Sequence, residues 1–478
     1  MTVINGQEQE AASNGVHYSG NLENSGAGGG EPNWASGLKN LVVKTGLLGH
    51  SDASFDAWLT ACAAQIGQVV LTIPTTLAQM GYAWGVVALI GYGFAGWWMC
   101  YLLQWMFFEY KAKLERHQNP SKEKRVIQYH DVIRGVAGQP LGYITFCFII
   151  LSLFLAGVIQ LVSSASNVYY ANDHLNKRQW TFVAGAISML SIFLPNFRHF
   201  RGISFLGVAT TTVAAVYFVI AAFSHGQRGH ITHTGPKANR QFFTGMTNTI
   251  FVWGGHGVTI EIIDAMKRPK TFKYLYLGVV VYSLSVILPS SIAVYWAYGD
   301  QLLTRGNAFA VLQPSGWRTF AISCMILHQI MVYIIYMVSV FIALEKIVGV
   351  HNGRYIWRTL VRIPLVLAVW VVALAIPFFG LINSVMGAFI VTFSIYVVPP
   401  VAFFIHYRTA AARESSVEAP PLIVGRSWAV LFIVNGIIAA LTLTIGLGWG
   451  GWASIKTVID NIHTFGFFAP CYQCPPKK

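Results

Sequence analysis

From Phe55 onward the chain alternates long apolar stretches with short polar gaps. Eleven apolar runs stand at 56–80, 84–109, 141–169, 180–195, 202–224, 242–266, 274–298, 318–345, 359–377, 380–406 and 428–450. Most approach the ~20 residues that a helix needs to cross the hydrocarbon core. The pattern therefore predicts an all-α integral membrane protein with eleven transmembrane helices. Run 180–195 is short and ends at Pro195. Residues 1–52 are rich in Gly, Asn, Ser and Glu, with no charged segment leading into an apolar one, which predicts a disordered cytosolic tail and no signal peptide.

Composition narrows the class further. With 55% hydrophobic and 10% charged residues and a mean hydropathy of +0.54, a chain of 478 residues has too little polar material to cover a soluble surface. The net charge of +14 does not imply nucleic acid, because the basic residues sit in the gaps between runs, where they act as topology signals for a lipid bilayer. With the N-terminus inside, 22 of the 32 Lys and Arg residues fall on the inner side, and eleven crossings place the C-terminus outside. The outer gap at 225–241 runs against that bias with Arg228, Lys237 and Arg240.

No gap exceeds about 35 residues, so there is no room for a soluble catalytic domain, and the familiar hydrolase and phosphate-loop motifs are absent. The reading is of a non-enzyme without cofactor or metal. Cys62, Cys100, Cys147 and Cys324 lie within apolar runs and read as small buried residues. Cys471 and Cys474 form a C-x-x-C that falls outside on this topology, where a disulfide is plausible.

Polar groups that lipid would reject carry the functional signal. Gln65, Gly67 and Gln68 interrupt the middle of the first run, and Gly254, Gly255, His256 and Gly257 interrupt the sixth, followed by Glu261 and Asp264. Breaks at matching places five helices apart predict an inverted-repeat transporter, with the second repeat inverted because five is odd. The expected layout is residues 53–225 for the first repeat, 226–407 for the second, 408–452 for a cytosolic loop and helix 11, and 453–478 for an extracellular tail. The helix ends at the breaks carry partial charges, and a carboxylate suits the positive ones. The alternative for the glycines is close helix packing.

In the third run Gln160, Ser163, Ser164 and Asn167 recur at i, i+3, i+4 and i+7 and so share one helical face. That face either lines the pathway or joins helices by hydrogen bonds. His328 and Gln329 in the eighth run have the same two readings. Asn383 and Ser384 follow Pro377 and Gly380 and mark a gate hinge or a helix start. Thr210, Thr211 and Thr212 fit either ion ligands or packing groups, and the oligomeric state is open, a monomer included.

Six collinear stretches add a resemblance over residues 50–474: AQIGQVVLTIP (64–74), ASNVYYANDHL (165–175), WGGHGVTIEI (253–262), VYWAYGD (294–300), PFFGLINS (377–384) and TFGFFAPCYQC (464–474). Together they resemble the plant auxin influx carriers, a branch of the amino acid/auxin permease family. The resemblance implies a LeuT-type 5+5 inverted repeat with helices 1 and 6 broken, at the plasma membrane of a plant or streptophyte alga. It implies import of indole-3-acetic acid with protons as the coupling ion. The chain departs from the land-plant pattern at Ala64, where an asparagine is expected, and at Thr75, where a tyrosine is expected.

The expected substrate-binding residues are Gln65, Gly67, Gln68, Gln160, Ser163, Asn167, Gly255, His256 and His328. His256 is the expected proton-coupling group, since imidazole titrates in the relevant range, and Glu261 is the second. Two rival readings stand beside this one: an amino acid permease of the same fold, and a solute-sensing receptor or channel.

Overall fold

A computed structural model describes residues 53–117, 126–193, 200–376 and 378–465. The N-terminal tail, Pro195, Pro377 and the pair Cys471 and Cys474 lie outside the described residues.

The first run forms two helices, α1 (Ala53–Ile66) and α2 (Val69–Met80), bent by 48° at Gly67 and Gln68. Gly67 adopts φ +38°, a left-handed conformation that a side chain would strain. Gly81, at φ +78°, turns the chain into the 36-residue α3 (Tyr82–His117). A short α4 (Tyr129–Ala137) and the long α5 (Gln139–Ala171) follow, joined at Gly138 with φ +99°.

The short fourth run becomes α6 (Lys177–Ser188), continued by a tight 3₁₀ segment, Met189–Phe193. The 3₁₀ rise of ~2.0 Å per residue stretches these residues to about 28 Å, nearly the hydrocarbon thickness of ~30 Å. Next come α7 (Phe200–His225) and the interrupted sixth run: α8 (Asn239–Val252), a 3₁₀ turn (Gly255–Val258) and α9 (Thr259–Ala265).

The rest of the chain supplies α10 (Phe272–Tyr298), α11 (Gly316–Val348), α12 (Tyr355–Ala375) and α13 (Phe379–Val385). From α13 the chain passes through wide π-type turns (Met386–Val397) into α14 (Val398–Tyr407). A short α15 (Ala410–Glu414) precedes α16 (Trp428–Thr442), which continues through π-type turns (Leu443–Gly450) into α17 (Gly451–Phe465). The last helix thus runs 15 residues past the end expected from hydropathy. Ser384 and Ser454 bond across to one another at 2.7 Å, and Arg240 pairs with Asp460.

Among the described residues eight helices are long and apolar enough to cross a bilayer, and the bent α1–α2 pair makes a ninth span. The segment from α6 to Phe193 and the interrupted α8–α9 stand where the fourth and sixth runs are expected. Apolar side chains such as Val371, Ile433 and Leu441 face outward, an arrangement that suits lipid and would be a liability in water. Inside, α11 packs along α5 and α7, and α2 lies along α8.

Helix α4 sits outside the spanning bundle and buries Tyr129, Val132, Ile133 and Val136 on one side. Its His130 ring meets Phe146 edge-on at 4.8 Å, and burial pushes the imidazole down to about 4. Burial works to raise the neighbouring Asp131, but the His130 ring, Lys346, the Gln128 backbone N–H and Arg134 together hold it below the ordinary carboxylate value.

The folded chain therefore refuses a proton at His130 that the unfolded chain accepts below pH ~6.5. Stability falls as pH drops from about 6.5 to 4, and the loss is complete below that window. The Asp131 contribution is lost only in stronger acid. Thermal melts of the purified protein are expected to show this slope, and His130→Phe, which keeps an aromatic ring against Phe146, is expected to flatten it. An unchanged slope in that variant would rule out His130 as the source.

Candidate functional site

The two breaks meet in the middle of the bundle. Helices end with backbone carbonyls that have no partner within the helix, and here side chains reach across to take them. The Tyr336 hydroxyl donates to the Ala64 carbonyl near the end of α1 (2.6 Å), and Gln65 Nε2 donates to the Val252 carbonyl at the end of α8 (2.5 Å). Gln65 Oε1 accepts from the Tyr276 hydroxyl at 3.0 Å. A Cβ at 255 would stand 2.7 Å from Gln65 Oε1, so a larger residue there displaces the end of that side chain.

Around this seam lies a cavity of about 30 Å³. Gln65, Gly67, Gln68 and Gly255 all line it, as expected from the sequence, and Gln160 forms part of its wall. The N-terminus of α2, at Gln68 and Val69, opens onto the same space. Apolar walls come from Leu153, Ile159 and Val391, and no Lys, Arg, Asp or Glu lines it. A volume of this size holds about one water. Any organic solute requires the breaks to move apart. Gln68 and Asn383 are the natural parting line, since their amides face each other at 3.2 and 3.4 Å.

The other expected site residues lie elsewhere. His256 is fully buried on a different side of the break: Nε2 is 2.8 Å from the Gly96 carbonyl, and the ring packs on Tyr276 at 5.4 Å. A carbonyl can only accept, so Nε2 carries the hydrogen. The other ring nitrogen, Nδ1, faces the Trp253 backbone carbonyl.

Ser163 and Asn167 belong to a network around Gln329. Gln329 Nε2 donates to Ser163 (2.6 Å), and its Oε1 accepts from Ser164 (3.0 Å) and Asn167 (3.2 Å). Asn167 also accepts from Asn307 at 2.8 Å. His328 Nδ1 donates to the Gly207 carbonyl (2.8 Å), between α11 and α7. Thr210, Thr211 and Thr212 each donate to a carbonyl of their own helix.

Glu261 Oε1 accepts from Gln128 at 3.2 Å, which joins α9 to the residue that precedes α4, and the carboxyl also accepts from Ser339 and from its own backbone N–H. Lys346 ties the same corner by donating to Gln128 (3.0 Å) and to the Val126 carbonyl (2.8 Å). Of the two departures noted above, Ala64 lines the cavity. Thr75 does not, and its hydroxyl donates to the Arg305 carbonyl at 3.1 Å.

Sequence reasoning passed over Tyr336 and Tyr276. Tyr336 follows Gln329 by seven residues and Tyr333 by three, so it lies on the same helical face, and that spacing was the available signal.

Two broken helices closing on a small polar seam, inside a bundle of membrane-spanning helices, define a solute transporter and not an enzyme. The solved structure of MhsT in complex with L-phenylalanine shares the fold with a TM-score of 0.56 at 13% identity, covering 82% of this chain and 98% of that one. The fold is the LeuT type. Residues 50–447 match the family described as Transmembrane amino acid transporter protein.

The chain is 42% identical over 434 residues to Auxin transporter-like protein 2 of Oryza sativa subsp. japonica, covering 91% of this chain and 90% of that protein. It is 40% identical over 430 residues to Auxin transporter protein 1 of Arabidopsis thaliana, covering 90% and 88%. The chain belongs to the auxin influx carrier branch of the amino acid/auxin permease family.

Proposed function

We propose that this multi-pass transporter is a proton-coupled symporter that imports the indole-3-acetic acid anion by alternating access. It would work at the plasma membrane with its N-terminus in the cytosol. The observation that carries the substrate is the 40–42% identity, over about nine-tenths of both chains, to proteins named as auxin transporters. The cavity is compatible with it. The N-terminus of α2 and the amides of Gln65 and Gln68 suit a carboxylate, while no Asp or Glu lines the space to receive an ammonium group.

Energetics require the proton. An anion entering a cell that is negative inside is opposed by ~2.3 kcal/mol per 100 mV. One co-transported proton cancels that charge and adds about 1.4 kcal/mol per unit of inward pH gradient. His256 is the first candidate to carry it. Its ring sits in the segment that lines the cavity at Gly255 and Gly257, and the backbone carbonyls of Gly96 and Trp253 face its two nitrogens. Glu261, within the same broken helix and buried, is the second candidate. In this reading His256 couples from behind the break and does not contact the solute.

Uptake of labelled indole-3-acetic acid at external pH 5.5 and 7.5, with and without a protonophore, tests the proposal. Accumulation is expected to be higher at pH 5.5, abolished by the protonophore and lost in His256→Ala. An absence of uptake above control cells, with the protein at the surface, would remove the auxin assignment and direct the work to amino acids. Uptake that only equilibrates would instead indicate a channel.

A further inference from the structure

A groove of about 530 Å³ opens on the side of the bundle between α7 and α11, away from the seam, with Tyr298 from the end of α10 in its wall. Its two ends differ. Val213, Val216 and Ile220 on α7 and Phe320 on α11 form the apolar part, and each is more than 40% exposed, so the opening faces lipid. Ser224, His225 and Arg228 form the polar end. From Val213 to His225 the groove follows α7 for about 18 Å.

The polar end carries positive charge with no counter-charge beside it. Arg228 comes from the gap whose cations run against the inside bias of basic residues. Arg240 of the same gap is held by Asp460, whereas Arg228 makes no hydrogen bond or ion pair among the described residues. Arg318, buried at the start of α11, stands within electrostatic reach of Tyr217 and Tyr298, which both line the groove, and its Nε has no hydrogen-bond partner. The Tyr298 hydroxyl makes no hydrogen bond among the described residues. No Asp or Glu lines the space.

We propose that this groove binds one anionic phospholipid, with its phosphate at Arg228 and an acyl chain laid along α7 past Val216. The charge of the headgroup follows from the polar end, because a guanidinium is a permanent cation whose fork of donors matches phosphate oxygens. The Tyr298 hydroxyl can add a further donor. A zwitterionic headgroup would bring an ammonium to two guanidinium groups and no carboxylate, a like-charge meeting that costs affinity. The tail follows from the apolar part, which is open to lipid over a length that a small water-soluble acid would leave unfilled. Trp317, exposed on the same rim, is the residue type that marks the headgroup level of a bilayer. The site stands apart from the seam and does not depend on which solute is carried.

The test is lipid binding to the full-length purified protein by native mass spectrometry, titrating dioleoylphosphatidylglycerol against dioleoylphosphatidylcholine, which has the same chains and a zwitterionic headgroup. The first phosphatidylglycerol is expected to bind at least tenfold more tightly than phosphatidylcholine. Arg228→Gln, a change to an exposed side chain that should leave the melting midpoint alone, is expected to remove that preference. Val216→Trp, which fills the groove, is expected to weaken the first phosphatidylglycerol at least fivefold. Lys237→Gln, at another exposed cation of the same gap, is expected to change nothing.

Equal affinity of the wild type for the two lipids would overturn the proposal, as would an unchanged preference in Arg228→Gln. An equal loss in Lys237→Gln would reduce the effect to general surface charge and overturn it too. Displacement of the lipid by indole-3-acetate would mean that a water-soluble acid is the true occupant.

Discussion

Replacing Glu345 with alanine is expected to destabilise the protein by about 3–5 kcal/mol, the usual consequence of removing one partner from a buried ion pair. The carboxylate is fully buried at the end of α11 and gathers three basic side chains. Arg362 bonds to Oε1 through Nε (2.8 Å) and an Nη (2.5 Å), while Arg358 (2.9 Å) and His351 (3.0 Å) hold Oε2. Without the carboxylate, two guanidinium groups share a site with no charge to join them. The midpoint of thermal unfolding and the yield of monodisperse protein should both fall. Combining Glu345→Ala with Arg362→Met should recover part of the loss, because an apolar replacement of the pair removes the stranded cation. An unchanged midpoint in Glu345→Ala would mean that the cluster is incidental.

A large effect on transport is also expected from Gly255→Val. A Cβ at this position stands 2.7 Å from Gln65 Oε1 and 3.5 Å from the Ala64 carbonyl, so Gln65 must leave its place. It would then give up its bonds to the Val252 carbonyl and the Tyr276 hydroxyl, and each buried polar group left unpaired costs ~1–3 kcal/mol. Two such groups cost about 2 kcal/mol even at the lower end of that range, and about 1.4 kcal/mol is already a factor of ten. Initial uptake rates, normalised to protein at the cell surface, should fall at least tenfold. A wild-type rate would mean that the contact between the two breaks plays no part in the cycle.

The features legible in the sequence are those for which lipid allows few exceptions. Gln65, Gln68 and Gly255 were visible because amides and glycines in the middle of apolar runs need a special reason, and the structure brings all three to one cavity. Ser163, Ser164 and Asn167 were equally visible as a polar face. Periodicity says which residues share a side of a helix and not what that side meets, and theirs meets Gln329.

Leu153, Ile159 and Val391 gave no signal, since an apolar residue facing a solute looks like one facing lipid. Helix α4 was hidden because half its surface is polar, which places it below any hydropathy threshold. The extension of the last helix was hidden for the same reason, with Lys456 and Asp460 paired on its exposed side at 3.2 Å.

The bonds that hold the two breaks together are all between neutral partners: Tyr336 to a carbonyl, Gln65 to a carbonyl, and one amide facing another. Ion pairs stand elsewhere, among them at the corner of α4, in the Glu345 cluster, at Asp460 with Arg240 and Lys456, and between Lys273 and Glu418. Charge thus braces the frame, and the seam that parts in the proposed cycle is joined by neutral bonds. Counterions that weaken or strengthen the frame therefore have little hold on the bonds that close the seam.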